Sequence, residues 1–119
     1  MIIEKKILDY LTETDLPLVG ENVFMEVPVY PPEAYVVIEK TGGRGGSMEQ
    51  AVFAVQSYSA KSLLDAATIN HAVKEAMKGF RDATVNVFRC ELNSDYNFTN
   101  TNTKEYRYQA VFNIYYQED

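Results

Sequence analysis

Four of the chain's six glycines surround one arginine in TGGRGGS, residues 41–47. Glycines beside a basic residue are typical of loops that hold phosphate. A P-loop, however, needs a lysine followed by Ser or Thr and then a helix, and this stretch has no lysine. The residues that follow, MEQAVFAV, alternate like a strand, and Met48 stands where the pattern G-x-G-x-x-G needs its third glycine. The stretch therefore predicts a β-hairpin tip and no nucleotide site.

The cost of ordering this tip gives an expectation about its function. Fixing each residue costs about 1–2 kcal/mol, so the seven residues cost roughly 7–14 kcal/mol, and they carry no apolar side chain to offset this. We expect a mobile tip that becomes ordered on a partner, with Gly42, Gly43, Arg44, Gly45 and Gly46 as a candidate interaction loop. Arg44 is its one specific anchor, or else only a solubilising charge.

Two further residue types that support catalysis occur once each, as His71 and Cys90. His71 lies four residues before Glu75 on a predicted helix, which favours a surface ion pair. A Cys90–His71 nucleophile pair stays open, but Cys90 alternates with Phe88 and Leu92 along a predicted strand and is therefore expected in the core. The carboxylates are scattered and show no metal-ligand spacing. We expect no catalytic residue, no metal and no cofactor, and hence no enzyme.

The composition limits the partners of the chain. Its formal net charge of −6 argues against a surface that grips nucleic acid, although DNA could still slide past without binding. No apolar run approaches the ~18 residues of a membrane span, so no membrane partner is expected. The N-terminus mixes charges into its apolar residues and does not predict a signal peptide. With only one cysteine, the chain is expected to be made in a reducing cytoplasm.

The periodicity of apolar residues predicts one domain over residues 1–119 with the order α-β-β-β-α-β-(β)-β. Helices are predicted over residues 2–14 and from Ser59 or Ser62 to residue 78. Strands are predicted over residues 23–27, 34–39, 48–58, 84–92 and 105–117, with an optional short strand in the polar segment 93–103. The fold class is α+β: a two-layer domain with a mostly antiparallel sheet of four to six strands and two helices packed on it.

The last predicted strand has the most regular alternation and includes Tyr106, Arg107 and Tyr108. These three residues are a candidate subunit interface. Arg107 would form an ion pair with another subunit or stack on an aromatic ring. The alternative is an ordinary side chain on the solvent face.

Two stretches together resemble a known family. They are SYSAKSLLDAATINHAVKEAMKGF and SDYNFTNTNTKEYRYQAVFNIYY, preceded by AYVVIEK and the glycine stretch. From about Glu33 to Tyr116 the chain resembles the tail terminator proteins of long-tailed bacteriophages and prophages, also called tail-completion or tail-to-head joining proteins.

The resemblance implies a structural protein of the virion, located at the head-proximal end of the tail and made in the cytoplasm of the bacterial host. Such proteins form a hexameric ring that caps the tail tube, stops its polymerisation and offers a surface to the head–tail connector. The implied partners are other copies of the chain, the tail tube protein and the connector. DNA passes through the lumen without specific binding, in line with the −36 that six copies of a −6 chain carry. A Tyr-rich edge strand, Lys104 to Tyr116, would support contacts between neighbours.

Two other functions stay open at this point. The chain could be a different neck, head-completion or minor tail protein, which binding to tail tubes or to filled heads would distinguish. It could also be a small ferredoxin-like module that binds a ligand, which predicts a concave apolar pocket with a few converging polar groups.

Overall fold

A computed structural model of the chain describes residues 1–103 and 105–118. Within this part there are three helices, α1 (Ile3–Glu13), α2 (Leu63–Met77) and α3 (Phe80–Ala83). The strands are β1 (Val23–Phe24), β2 (Ala34–Arg44), β3 (Glu49–Ser59), β4 (Val87–Asn97) and β5 (Tyr106–Tyr116). The predicted two-layer α+β class is confirmed, and the one-turn helix α3 is an addition to the two predicted helices.

The five strands form one sheet in the order β1-β2-β3-β5-β4. Only β1 and β2 are parallel; the other three neighbouring pairs are antiparallel. The predicted edge strand from Lys104 to Tyr116 is therefore wrong, because β5 lies between β3 and β4, while Lys104 itself is outside the described residues. Ala110, Phe112 and Ile114 are at most 2 % exposed, and a central strand excludes such side chains from water better than an edge strand does.

One face of the sheet carries the main core. The side chains of Phe53, Ile38 and Ile114 lie on this face and are fully buried. Helix α1 contributes Ile3, Ile7 and Leu11, spaced four residues apart, and α2 contributes Ile69, Val73 and Met77. Because these stripes follow the helical period, each helix buries one side on the sheet. The predicted first helix is confirmed, and its buried side consists of Ile3, Ile7 and Leu11.

Side-chain hydrogen bonds fix the helices at their ends. Ser62, one of the two predicted caps, accepts a hydrogen bond from the backbone N–H of Asp65 at 3.0 Å. The hydroxyl of Tyr10 on α1 donates to the carbonyl oxygen of Ala76 on α2 at 2.6 Å. The Tyr10 ring also meets the Phe80 ring edge-on, with 5.2 Å between centroids. The two longer helices are thereby joined to each other as well as to the sheet.

Several element boundaries differ from the prediction. Strand β2 continues through Arg44, with a bulge between Lys40 and Gly42, so the link to β3 consists of residues 45–48 alone. The predicted seven-residue unpaired tip is therefore wrong. Strand β4 continues to Asn97, so the optional extra strand is formed as an extension of β4. Strand β1 has only two residues, since the chain turns away ahead of Pro28.

Candidate interaction surfaces

The glycine-rich end of the β2–β3 hairpin is better ordered than its composition predicts. Gly42 pairs with Val52, Gly43 with Ala51, and Arg44 with Gln50. The Arg44 guanidinium also donates from Nη2 to the side-chain oxygen of Gln50 at 3.2 Å. Main-chain pairing to β3 offsets the entropy that the glycines lose. Arg44 is exposed at the end of the hairpin and stays a candidate contact residue.

Two glycines at the hairpin end differ in how well their backbone would accept a side chain. Alanine substitutions at the two positions therefore form a matched pair. Gly46 has φ of +150°, a conformation that L-residues rarely adopt, whereas a Cβ on Gly42 would meet no atom within 4 Å. We expect Gly46→Ala to destabilise by about 1–3 kcal/mol. Gly42→Ala is expected to be neutral or to stabilise by about 0.4–1 kcal/mol. Urea unfolding of both variants measures this; equal losses would mean that Gly46 does not hold this conformation.

A hollow of about 480 Å³ lies beside the same end of the hairpin. Its lining is mostly polar side chains and glycine backbone: Lys40, Thr41, Gly42, Gly43, Arg44, Gly45, Glu49, Gln50 and Tyr116. A small-molecule site is typically lined by apolar and aromatic side chains with a few polar groups. The lining of this hollow therefore does not match the apolar pocket expected of a ferredoxin-like ligand-binding module.

The second predicted site, around Arg107, is held together by contacts within the chain. The Arg107 guanidinium lies over the Phe98 ring, with 4.3 Å from Cζ to the centroid, and donates from Nε to the Phe98 carbonyl oxygen at 2.6 Å. Nη1 donates to the Tyr58 hydroxyl at 3.3 Å and lies 3.6 Å from Glu105 Oε1. Stacking on an aromatic ring, one of the predicted alternatives, is confirmed within the chain. Its flanking residues Tyr106 and Tyr108 lie on the opposite, helix-covered face and are half-buried.

A chain of buried amide and phenol groups extends from Arg107 across the helix-free face of the sheet. The Tyr58 hydroxyl donates to Gln56 Oε1 at 3.0 Å, and Gln56 Nε2 donates to Gln109 Oε1 at 2.9 Å. Gln109 in turn donates from Nε2 to the Tyr96 hydroxyl. Because Gln56 and Gln109 are each 9 % exposed, losing one partner would leave a buried amide unpaired, at a cost of about 1–3 kcal/mol. The network therefore fixes β3, β5 and β4 together on this face.

Burial of phenol groups predicts how stability depends on alkaline pH. Burial raises the pKa of Tyr35, which stacks on Tyr58 at 4.4 Å, from the ordinary value of 10 to about 12, and burial also raises the pKa of Tyr116 to about 12. Above pH 10 the unfolded chain loses these protons first, so stability is expected to fall as the pH rises from about 10 to 12.

Denaturant unfolding at a series of pH values, with phenolate absorbance recorded in parallel, measures this fall. Tyr35→Phe should make the fall shallower and remove one late-ionising phenol. An unchanged pH dependence in Tyr35→Phe would contradict the assignment to Tyr35.

The two predicted sites, the glycine-rich loop around Arg44 and the residues around Arg107, lie far apart in the structure. Arg44 pairs with Gln50 at one end of the β2–β3 hairpin, whereas Ser59, at the other end of β3, pairs with Tyr106 of β5. An 11-residue strand spans roughly 33 Å at 3.3 Å per residue. The protein measures 43 × 25 × 25 Å, so the two candidate contact regions mark opposite ends of its long axis.

The structure does not favour a Cys90–His71 nucleophile pair. Cys90 packs against the core, and burial raises the pKa of its thiol to about 12, which keeps it protonated. His71 is exposed on α2, where the nearby Glu75 carboxylate accepts a 2.8 Å hydrogen bond from Lys78. The predicted burial of Cys90 is thus only partial, and Phe88 and Leu92 on the same strand are 42 % and 48 % exposed.

Strand β4 forms the outer edge of the sheet and is exposed along most of its 11 residues. The bulges between Val87 and Arg89 and between Leu92 and Ser94 break the simple alternation from which its core face was predicted. Phe88, Leu92 and Tyr96 leave 42–48 % of their surface exposed along this edge. A long edge with exposed apolar side chains is suited to pairing with another chain.

A second exposed apolar segment was not singled out by the sequence analysis. Residues 25–33, MEVPVYPPE, connect β1 to β2 and are called the proline segment here. Val29 is 87 % exposed and Tyr30 is 91 % exposed. The only signal in the sequence is the pair of apolar residues, Val29 and Tyr30, enclosed between Pro28 and Pro31.

The described residues were also compared with the requirements of other kinds of site. Across 1–103 and 105–118, no group of three or more His, Cys, Asp or Glu side chains is placed to hold a metal ion. None of the helices in these ranges is long and apolar enough to cross a bilayer. Comparison of the chain with protein-family models and with curated protein sequences gives no match.

Proposed function

We propose that this protein is a phage tail terminator, a structural protein that assembles as a ring on the end of the tail tube. One observation carries the proposal: the sheet has two open edges that differ from each other. On one side, no strand among the described residues pairs with the outer edge of β4. On the other side β1 pairs only with Val36 and Val37, so residues 38–44 of β2 extend beyond it.

Two unlike edges favour head-to-tail association of identical copies. Such contacts produce closed rings or open filaments, because the same surface is never used twice in one interface. Strands β3 and β4 run opposite to β2 and β5. Copies related by rotation about an axis along the strands would therefore place β4 of one copy antiparallel to β2 of the next, which is the more stable pairing.

Charge supports the same arrangement. Strand β4 carries Arg89, Glu91 and Asp95, which is one negative charge in excess. The open part of β2 carries Glu39, Lys40 and Arg44, which is one positive charge in excess. A net charge of −6 on each copy suits a lumen through which DNA passes without sticking. We expect six copies in the ring, and this number comes only from the resemblance to tail terminators.

Electron microscopy of the protein mixed with purified tail tubes tests this proposal. We expect a ring at one end of each tube and no further growth when tube subunits are added. Failure to form rings and to associate with tubes at any protein concentration would overturn the proposal. Binding to filled heads with no binding to tubes would instead indicate a neck or head-completion protein.

A further inference from the structure

The proline segment exposes its apolar side chains to an unusual extent. Met25 and Val27 are 41 % and 51 % exposed, ahead of the almost fully exposed Val29 and Tyr30. Exposed apolar residues that cluster in this way mark a contact surface. Pro28, Pro31 and Pro32 restrict the backbone, so ordering the segment on a partner costs less conformational entropy than ordering a flexible loop.

The opposite edge of the sheet carries an aromatic pair. Tyr96 and Phe98 are 42 % and 40 % exposed, and their rings meet edge-on with 6.0 Å between centroids. Contacts with strand β5 fix their positions: Tyr96 is hydrogen-bonded to Gln109, and Arg107 stacks on Phe98. Preorganised aromatic surfaces of this kind are the usual platform for proline-rich segments.

The strand register places Tyr96 level with Phe24, the residue from which the proline segment continues. Tyr96 pairs with Gln109, which pairs with Gln56, and Gln56 pairs with Val37. At the other edge, Phe24 pairs with Val37, immediately before the proline segment begins. Side chains in one row of register share a face. Tyr96 and Phe24, the residue just before the proline segment, therefore lie in the same row on the helix-free face, at opposite edges of the sheet.

From this juxtaposition we infer that the proline segment of one copy docks on the Tyr96–Phe98 pair of the next copy. The inference rests on the head-to-tail association in the proposed function. Edge pairing of β4 with β2 brings the two features to the same interface. Val29 and Tyr30 then lose the water around them by packing on two fixed rings, which stabilises the contact.

Cross-linking between two variants tests this inference. In a Cys90→Ala background, one chain carries Val29→Cys and the other carries Ser94→Cys. Ser94 is exposed and lies two residues before Tyr96 on the same face, so the substitution leaves both aromatic rings in place. A short bis-maleimide is applied to the mixed chains at high concentration and again on purified tail tubes.

We expect adducts that join unlike chains to predominate. Adding Tyr30→Ser to the chain that carries Val29→Cys should lower the yield of these adducts at least about tenfold, as expected for a buried tyrosine anchor. Leu64→Ser, at an apolar position of α2 that is 75 % exposed, is the matched control and should not change the yield.

Three results would overturn the inference: adducts mainly between two Ser94→Cys chains, a yield that Tyr30→Ser does not lower, or no adduct under either condition. The outcome is separable from that of the proposed function. Unlike-chain adducts without tube binding would reject the tail function and keep the contact, whereas capping rings without adducts would reject the contact alone.

Discussion

Replacing Phe53 with alanine is expected to lower the free energy of unfolding by about 3–5 kcal/mol. Phe53 is fully buried in β3, where it pairs with Phe112 of β5 on the helix-covered face of the sheet. Removal of its ring leaves a cavity between the sheet and the helices, because the surrounding strands are fixed by their hydrogen bonds. Urea or guanidinium unfolding followed by circular dichroism measures the loss.

The same chemical change at Phe88 provides the control. Phe88 lies at the bulge of edge strand β4 and is 42 % exposed, so Phe88→Ala is expected to cost less than about 1–2 kcal/mol. Equal losses in the two variants would contradict the bulge and would place Phe88 on the core face, as the alternation of its sequence predicts.

Local periodicity predicted most of the elements. Apolar periodicity identified α1, and the alternation in β5 identified a strand whose helix-covered face is buried at Ala110, Phe112, Ile114 and Tyr116. Such patterns show which side of an element is buried, but not which strands are neighbours. The position of β5 between β3 and β4 depends on pairing between distant segments, and no local pattern encodes it. The predicted sheet edge was wrong for this reason.

The errors in β4 and at the hairpin have separate physical causes. The bulge between Val87 and Arg89 takes Phe88 out of the alternation, so it does not share the helix-covered face on which Cys90 and Leu92 pair with Ile114 and Phe112. Because β4 is the edge strand, that face is only partly covered there, and Leu92 is 48 % exposed. At the hairpin, the mobile tip was predicted from the entropic cost of the glycines alone, and main-chain pairing of Gly42 and Gly43 with β3 was not included. Backbone hydrogen bonds are available to any sequence and leave no mark in side-chain patterns.

The candidate contact residues were predictable only in part. The flanking tyrosines suggested that Arg107 stacks on an aromatic ring, yet the rings that it contacts belong to Tyr58 and Phe98. Tyr58 is 49 residues away in the chain and Phe98 follows the end of β4, so the residues next to Arg107 did not identify them. The proline segment was visible in the sequence, but the near-complete exposure of Val29 and Tyr30 was not, because no local pattern shows what covers a segment outside the strands.

Leu92→Lys is expected to weaken assembly of the ring at least about tenfold while leaving the fold intact. Leu92 is 48 % exposed on β4, the edge that the proposed function assigns to pairing between copies. A lysine on an edge strand protects natural sheets from pairing, because burying its ammonium group against a neighbouring strand is costly. In the separate chain the ammonium reaches water, so the unfolding free energy should change by less than about 1–2 kcal/mol.

Leu64→Lys is the matched control for this variant, because Leu64 is 75 % exposed on α2 and belongs to neither edge strand. Sedimentation of the protein at increasing concentration, together with the fraction of tail-tube ends that carry a ring, measures assembly for both variants. If Leu64→Lys reduces assembly as strongly as Leu92→Lys, the effect is one of added charge, and β4 is not the interface. If neither variant reduces it, the copies associate through a surface other than the β4 edge, because β4 then stays open in the assembled ring.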